Sequence, residues 1–226
     1  MSVDFGRFAA TEDEFVVRFR REDLPGLIRK RLDVPAGTIA FVRTDAGAVI
    51  VLPAAGTTDD VRDGFLVKES CRLELALDGG RSKDDLAFRV SVGLSLRPRA
   101  SAIDLQQLER ALLRDTPRLS KGEVRAFIEP YVREAARFFA SQRTAEDLAT
   151  RDQRAALEAH LQEELKKPLF ELGCALVDVV HPSFASDAFE ARRQAAAEKG
   201  AKAQALEHEK ELLELKKGLD RQALLA

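Results

Sequence analysis

The sequence is poor in the residues that most often carry chemistry. It holds two cysteines, Cys71 and Cys174, and three histidines, His160, His181 and His208. The cysteines form no C-x-x-C pair and sit among apolar neighbours in β-prone runs. They are expected to be buried thiols of a reducing compartment. No phosphate loop of the Walker type is present, and no G-x-G-x-x-G follows a strand. "HEKEL", residues 208–212, begins like a zinc-protease helix, but the second ligand position is Leu212, so the match fails. No metal or cofactor is expected. There is no run of about 18 apolar residues, which excludes a bilayer-spanning helix. The opening "MSVDFGRFAATEDEF" lacks a signal-peptide pattern, and Ser2 excludes N-myristoylation. Nor is there an excess of one charge: the formal net charge is -2, which argues against a nucleic-acid binder. The expectation is a soluble cytoplasmic chain that meets a membrane, if at all, peripherally at its inner face or through a partner.

What is present is a globular composition with long solvated helices. Of 226 residues, 45% are hydrophobic and 33% charged. After a loose first dozen residues, Phe15, Val17 and Phe19 alternate with Val16, Arg18 and Arg20, which predicts a short half-buried strand. "LPGLIRKRL", residues 24–32, suits one or two amphipathic turns. Thr38–Arg43 and Ala48–Leu52 are β-prone runs joined by Asp45-Ala46-Gly47, a hairpin by its punctuation. Leu73, Leu75 and Leu77 alternate, then "DGGRSKDD" predicts a polar loop. Leu86, Phe88, Val90, Val92, Leu94 and Leu96 follow at strict spacing of two. That is the strongest strand in the chain, apolar on one face and polar on the other.

Past "RPRAS" the period changes to that of a helix. Asp104 is the expected cap of a segment reaching Arg114. Ser120 and Glu123 form a capping-box pattern, as do Thr144 and Asp147. Val124, Phe127, Ile128, Tyr131, Ala135 and Phe138 trace one stripe, with Pro130 expected to kink it. Leu157, Leu161, Leu165, Leu169 and Leu172 trace another. Pro168 should bend that helix's last turn and Gly173 should end it. A strand from Cys174 to Val180 follows, with Pro182 closing the run. The fold class is α+β: an antiparallel-rich sheet, then helices and a returning strand, then a long C-terminal helix. The divisions are an N-terminal strand and basic turn (1–30), an α+β domain (31–185) and a projecting helix (186–226).

Three candidate sites emerge. The first is the C-terminal helix. It carries heptad positions Ala191, Glu198, Ala205, Leu212 and Leu219, and Gln194, Ala201, His208, Leu215 and Gln222. The seam is alanine-rich and partly polar, weak as an isolated two-stranded coil, and no later segment covers it. Ala191, Ala201, Ala205, Leu212, Leu215 and Leu219 are the candidate oligomerisation residues; the competing reading is a helix folded back on its own domain. The second site is the basic stretch of Arg18, Arg20, Arg29, Lys30 and Arg31. It is a candidate contact for anionic lipid, or else a solvated strand edge whose charge blocks pairing. The third is Cys174 with Asp178 and His181, a thiol-enzyme constellation that needs an exposed, electropositive thiol. Strand parity places His181 on the face opposite Cys174 and Asp178.

Residues 138–204, "FFASQRTAEDLATRDQRAALEAHLQEELKKPLFELGCALVDVVHPSFASDAFEARRQAAAEKGAKAQ", resemble the second half of an SPFH domain, the stomatin, prohibitin, flotillin and HflK/C family, also called band 7. A phrase like "TAEDL", a leucine-striped helix ending in glycine, a strand like "CALVDVV" and a long Ala/Glu/Lys-rich helix occur in that order. "LDVPAGTIAFVRTDAGAVIVLPAAG" is similar to the family's opening hairpin and "LAFRVSVGLSLRP" to its central strand. The resemblance implies an α+β domain without catalytic residues. It also implies large homo-oligomers built through the exiting helix, and scaffolding of membranes or membrane-protein partners. Family members usually begin with a transmembrane helix or lipid-inserted hairpin, and this sequence shows neither. The alternative is a monomeric or dimeric adaptor whose helix pairs with a different protein.

Overall fold

The computed structural model describes residues 5–26, 30–110 and 116–223. Its first element is a helix, α1 (Phe5–Ala10), where the sequence suggested loose chain. Phe8 from this helix is 2% exposed, and the Lys68 ammonium lies 5.0 Å over its ring. Strand β1 (Glu14–Arg20) is followed by β2 (Leu32–Asp33), β3 (Thr38–Arg43), β4 (Val49–Leu52), β5 (Thr57–Thr58) and β6 (Asp63–Lys68). The short pair β2–β5 stands apart as its own two-stranded sheet. The predicted turns in 24–32 are not helical in residues 24–26 and 30–32; Leu27 and Ile28 lie outside the described residues.

The first large sheet gains a fifth strand, β9 (Arg118–Ser120), and has the order β4-β3-β6-β1-β9. The hairpin β3–β4 turns where expected, with Gly47 at φ +83°. β1 is not half-buried. It lies inside the sheet, antiparallel to β6 on one side and β9 on the other, and Phe15, Val16, Val17 and Phe19 are all buried. A register shift between Glu14 and Val16 puts Phe15 and Val16 on the same side, which breaks the simple alternation. The sheet therefore buries both faces. Val17, Phe19, Ala40, Val42 and Leu66 join Phe8 in a smaller core, while Phe15, Val16, Phe41, Phe65 and Val67 join the main one.

The second sheet is built from β7 (Cys71–Arg81), β8 (Ala87–Pro98) and β10 (Cys174–Ala185), in the order β10-β8-β7, all antiparallel. β7 runs through the first half of the predicted polar loop, because a bulge between Leu77 and Gly80 absorbs "DGG" without ending the pairing. β8 is the central strand, with Phe88, Val90, Val92, Leu94 and Leu96 inward. Five helices lie between β8 and β10 among the described residues. In the first, α2 (Ala102–Leu108), Asp104 is not the cap. Its backbone N–H donates to the Ser101 hydroxyl at 3.2 Å, so Ser101 caps and Asp104 sits three residues in, 4% exposed. The remainder of the segment predicted to reach Arg114 includes residues 111–114, outside the described residues.

Helix α3 (Lys121–Ser141) starts with the Ser120–Glu123 capping box. Its inner face is Val124, Ile128, Val132, Ala135, Ala136, Phe139 and Ala140. The predicted stripe is thus rotated: Tyr131 and Phe138 are 41% and 60% exposed, and the smaller Val132 and the neighbouring Phe139 take the core positions. The helix continues through Pro130, which like Ala126 is exposed. The Thr144–Asp147 box opens α4 (Ala145–Leu148). The leucine stripe is entirely buried, but on two helices: α5 (Arg151–Glu164) and α6 (Lys166–Glu171), broken at Leu165. Pro168 causes the break rather than a bend. At the third position of α6 its missing N–H falls where a new helix has no carbonyl to bond.

Candidate functional site

Gly173 turns the helical layer into β10 (Cys174–Ala185). It sits at φ +71°, and a Cβ there would lie 2.3 Å from the Asp104 carbonyl oxygen. Only glycine accepts both the left-handed backbone and that close approach. β10 does not stop at Val180. Register shifts between Leu176 and Asp178 and between Val180 and Ser183 carry it past Pro182, with His181 at φ +49°. A proline is tolerated here because β10 is an edge strand and the residue lies in a bulge.

The strand's end is pinned. The Phe184 ring stacks on Phe139 at 6.1 Å between centroids and meets Phe88 edge-on at 5.7 Å. The Ser186 hydroxyl donates to the Ala87 carbonyl at 2.6 Å and accepts the Phe189 N–H at 3.2 Å. One side chain thus ties the sheet to the first turn of α7 (Asp187–Ala223).

From Glu190 to Glu214 every residue of α7 is exposed. Ala191, Ala201, Ala205 and Leu212 are all uncovered, Leu212 by 55%. Leu215 and Leu219 belong to the helix by backbone, and nothing is described of their side chains. Leu206 and Leu213, 58% and 50% exposed, are further apolar positions that a strict heptad frame passes over. Two adjacent leucines, Leu212 and Leu213, were the available signal that the apolar surface is wider than one seam.

The basic stretch is dispersed. The Arg18 guanidinium lies over the Phe65 ring at 5.6 Å, half-buried on the sheet. Arg20 is exposed at the end of β1. Lys30 donates to the Leu24 carbonyl at 2.7 Å, Arg31 pairs with Asp33 at 3.1 Å, and Arg29 lies outside the described residues.

The thiol constellation is not assembled. Cys174 is 2% exposed, and burial, followed by the nearby Cys71 and Asp104, pushes its thiol up to about 12. The bulge after Leu176 reverses the parity on which Cys174 and Asp178 would share a face. Cys174 and Val179 are buried, while Asp178 and His181 are exposed. Cys71 is likewise buried and pushed up to about 11, again mainly by burial. Among the described residues no group of three His, Cys, Asp or Glu side chains could hold a metal, and no helix is long and apolar enough to cross a membrane.

A search of curated proteins gives no match. A family model does match, over residues 44–212, from the turn of the first hairpin to well inside α7. That span contains the whole second sheet, three strands of the first large sheet (β4, β6 and β9), the whole helical layer, the Gly173 joint and the first part of the projecting helix. The matched family is in general one of membrane-associated scaffolds. With its order of antiparallel sheets, helical layer, returning strand and long exit helix, the chain belongs to the SPFH domain / Band 7 family.

Proposed function

We propose that this chain is a non-enzymatic scaffold of the SPFH type that assembles into homo-oligomers through α7. The observation that carries the reading is the uncovered helix. Its 37 residues rise about 55 Å at 1.5 Å per residue, and its described apolar side chains beyond Phe189 have no shelter within the chain. A helix of this amphipathic type gains most of its stability from packing against something else. The body supplies direction: Gly173, the Phe184 stack and the Ser186 tie hold β10 and the first turn of α7 in one geometry. Identical bodies side by side would then present parallel helices. Removing residues 190–226 tests this. The full chain is expected to run as a multiple of its 25.0 kDa mass and the truncated chain as a monomer.

A second reading has one observation in its favour. Glu198 and His208 occupy seam positions and are exposed, and polar seam residues select partners at a cost in stability. An adaptor pairing α7 with a different protein would keep its own size on truncation and lose the partner. Membrane association is a family-level property, and in our reading it is peripheral and at the cytoplasmic face. Arg20 and Arg31, together with Arg18, Arg29 and Lys30, are the proposed contacts with anionic lipid. Exposure of Arg20 and Arg31 supports this, and co-sedimentation with phosphatidylserine vesicles, lost in Arg20→Glu/Arg31→Glu, tests it.

A further inference from the structure

We propose that an electrostatic latch between the body and the second turn of α7, centred on Asp84 and Arg192, fixes the angle at which the helix leaves. This rests on the scaffold reading above for its purpose, though not for its geometry. Beyond the contacts of Ser186 and Phe189, an ion pair joins the body to the helix here. The Arg192 guanidinium lies 3.8 Å from one Asp84 carboxylate oxygen. Phe189 and Arg192 are three residues apart, so they are neighbours on the helix surface just beyond the Ser186 cap. A single turn and a half therefore orients a helix about 55 Å long, by its rise per residue.

Asp84 is held for this task. Its other carboxylate oxygen accepts the Ala145 N–H at 2.8 Å. The turn that carries it is tied to the end of α3, with the Lys83 N–H donating to the Arg143 carbonyl at 2.7 Å. The hydrogen bond from Ser82 and that from Ala145, with a smaller contribution from the Arg192 charge, hold its carboxyl below the usual carboxylate range. One oxygen thus belongs to the body and the other faces the helix. Glu146 and Arg193 line the same crevice, beside Ala149 and Phe189, so two acidic side chains of the body face two arginines of α7. An exposed ion pair contributes little to folding. Here it acts on a lever. A swing of about 20° at Ser186 displaces Ala203 by about 9 Å, from a rise of 1.5 Å over about 17 residues.

Pulsed electron-spin distance measurement tests the latch. Nitroxides go on Gln162→Cys in α5 and Ala203→Cys in α7, both exposed positions, with labelled protein diluted into unlabelled full chain so that only intramolecular pairs are read. Arg192→Lys should keep the wild-type distance distribution. Arg192→Glu should shift or broaden it by up to about 9 Å, the displacement of the 20° swing. Salt at 1 M, where the screening length is about 3 Å, should move wild type in the same direction. An unchanged distribution in Arg192→Glu overturns the latch, as does an equal change in Arg192→Lys. Particle mass measured on the same samples separates the two ideas. A changed distance with unchanged mass keeps the latch and removes its role in assembly. An unchanged distance removes the latch whatever the mass.

Discussion

Replacing Gly173 by alanine should damage this protein more than the same change at Gly47, and the structure says by how much. Both glycines have left-handed backbone, φ +71° and φ +83°. Both substitutions carry the cost of placing an L-residue there, about 1 kcal/mol at the lower end of the usual range. At Gly47 nothing lies within 4 Å of the new methyl, so that cost is the whole effect. At Gly173 the methyl would meet the Asp104 carbonyl oxygen at 2.3 Å and its carbon at 3.1 Å. Asp104 cannot retreat freely, because Arg99 pairs with its carboxylate at 3.2 Å and Ser101 caps its helix. Overpacking of this kind adds about 2 kcal/mol. For a chain of this size each kcal/mol moves Tm by about 2–4 °C. Gly47→Ala should therefore lower Tm by about 2–4 °C and Gly173→Ala by about 6–12 °C. Differential scanning calorimetry of the two variants beside wild type reads the difference. Equal shifts would refute the claim that the helix-to-strand joint is a steric fit.

The capping box at Ser120 satisfies the Glu123 N–H and receives Glu123 in return, so Ser120→Ala should cost about 1 kcal/mol in urea unfolding. Native protein at pH 8 should resist alkylation by iodoacetamide at both cysteines, since burial holds Cys71 up at about 11 and Cys174 up at about 12. Both should react once urea unfolds the chain, and fast native labelling of Cys174 would revive a reactive thiol. The same shifts set a pH dependence. The folded thiols ionise above their ordinary 9.0, so their contribution is intact below pH 9. It is lost as the pH rises through about 11 and about 12. Urea midpoints should fall across that window, and less so in Cys71→Ala.

Most of the second sheet and the helical layer was legible because period alone decides them. Phe88 to Leu96 alternate for the length of a strand and are buried as that pattern requires. The stripe from Leu157 to Leu172 is buried without exception. Capping boxes at Ser120 and Thr144 and the stop at Gly173 are local chemistry that no tertiary contact overrides. What escaped was set by partners distant in sequence. β1 looked half-buried because only one of its faces alternates; that both are covered depends on β6 and β9. Phe8 becomes core only because the first large sheet offers a second face. Bulges at Leu77–Gly80 and Val180–Ser183 let strands outlast "DGG" and Pro182, and no residue pattern separates a bulge from a loop end. Tyr131 and Phe138 drew the α3 stripe toward themselves by size, whereas Val132 and Phe139 had the positions that face the core. The site was legible in its pattern: α7 carries apolar residues at helical spacing among charges, and those described beyond Phe189 are exposed. The Asp84–Arg192 contact was not legible, since it joins a turn to a helix through a fold known only from the structure.

Multi-angle light scattering of the full chain at micromolar concentration, beside the chain lacking residues 190–226, tests the central claim most directly. The account predicts a mass several times 25.0 kDa for the full chain, collapsing to a single protomer on truncation. A clean monomer from the full chain, or an assembly that survives loss of α7, would contradict it.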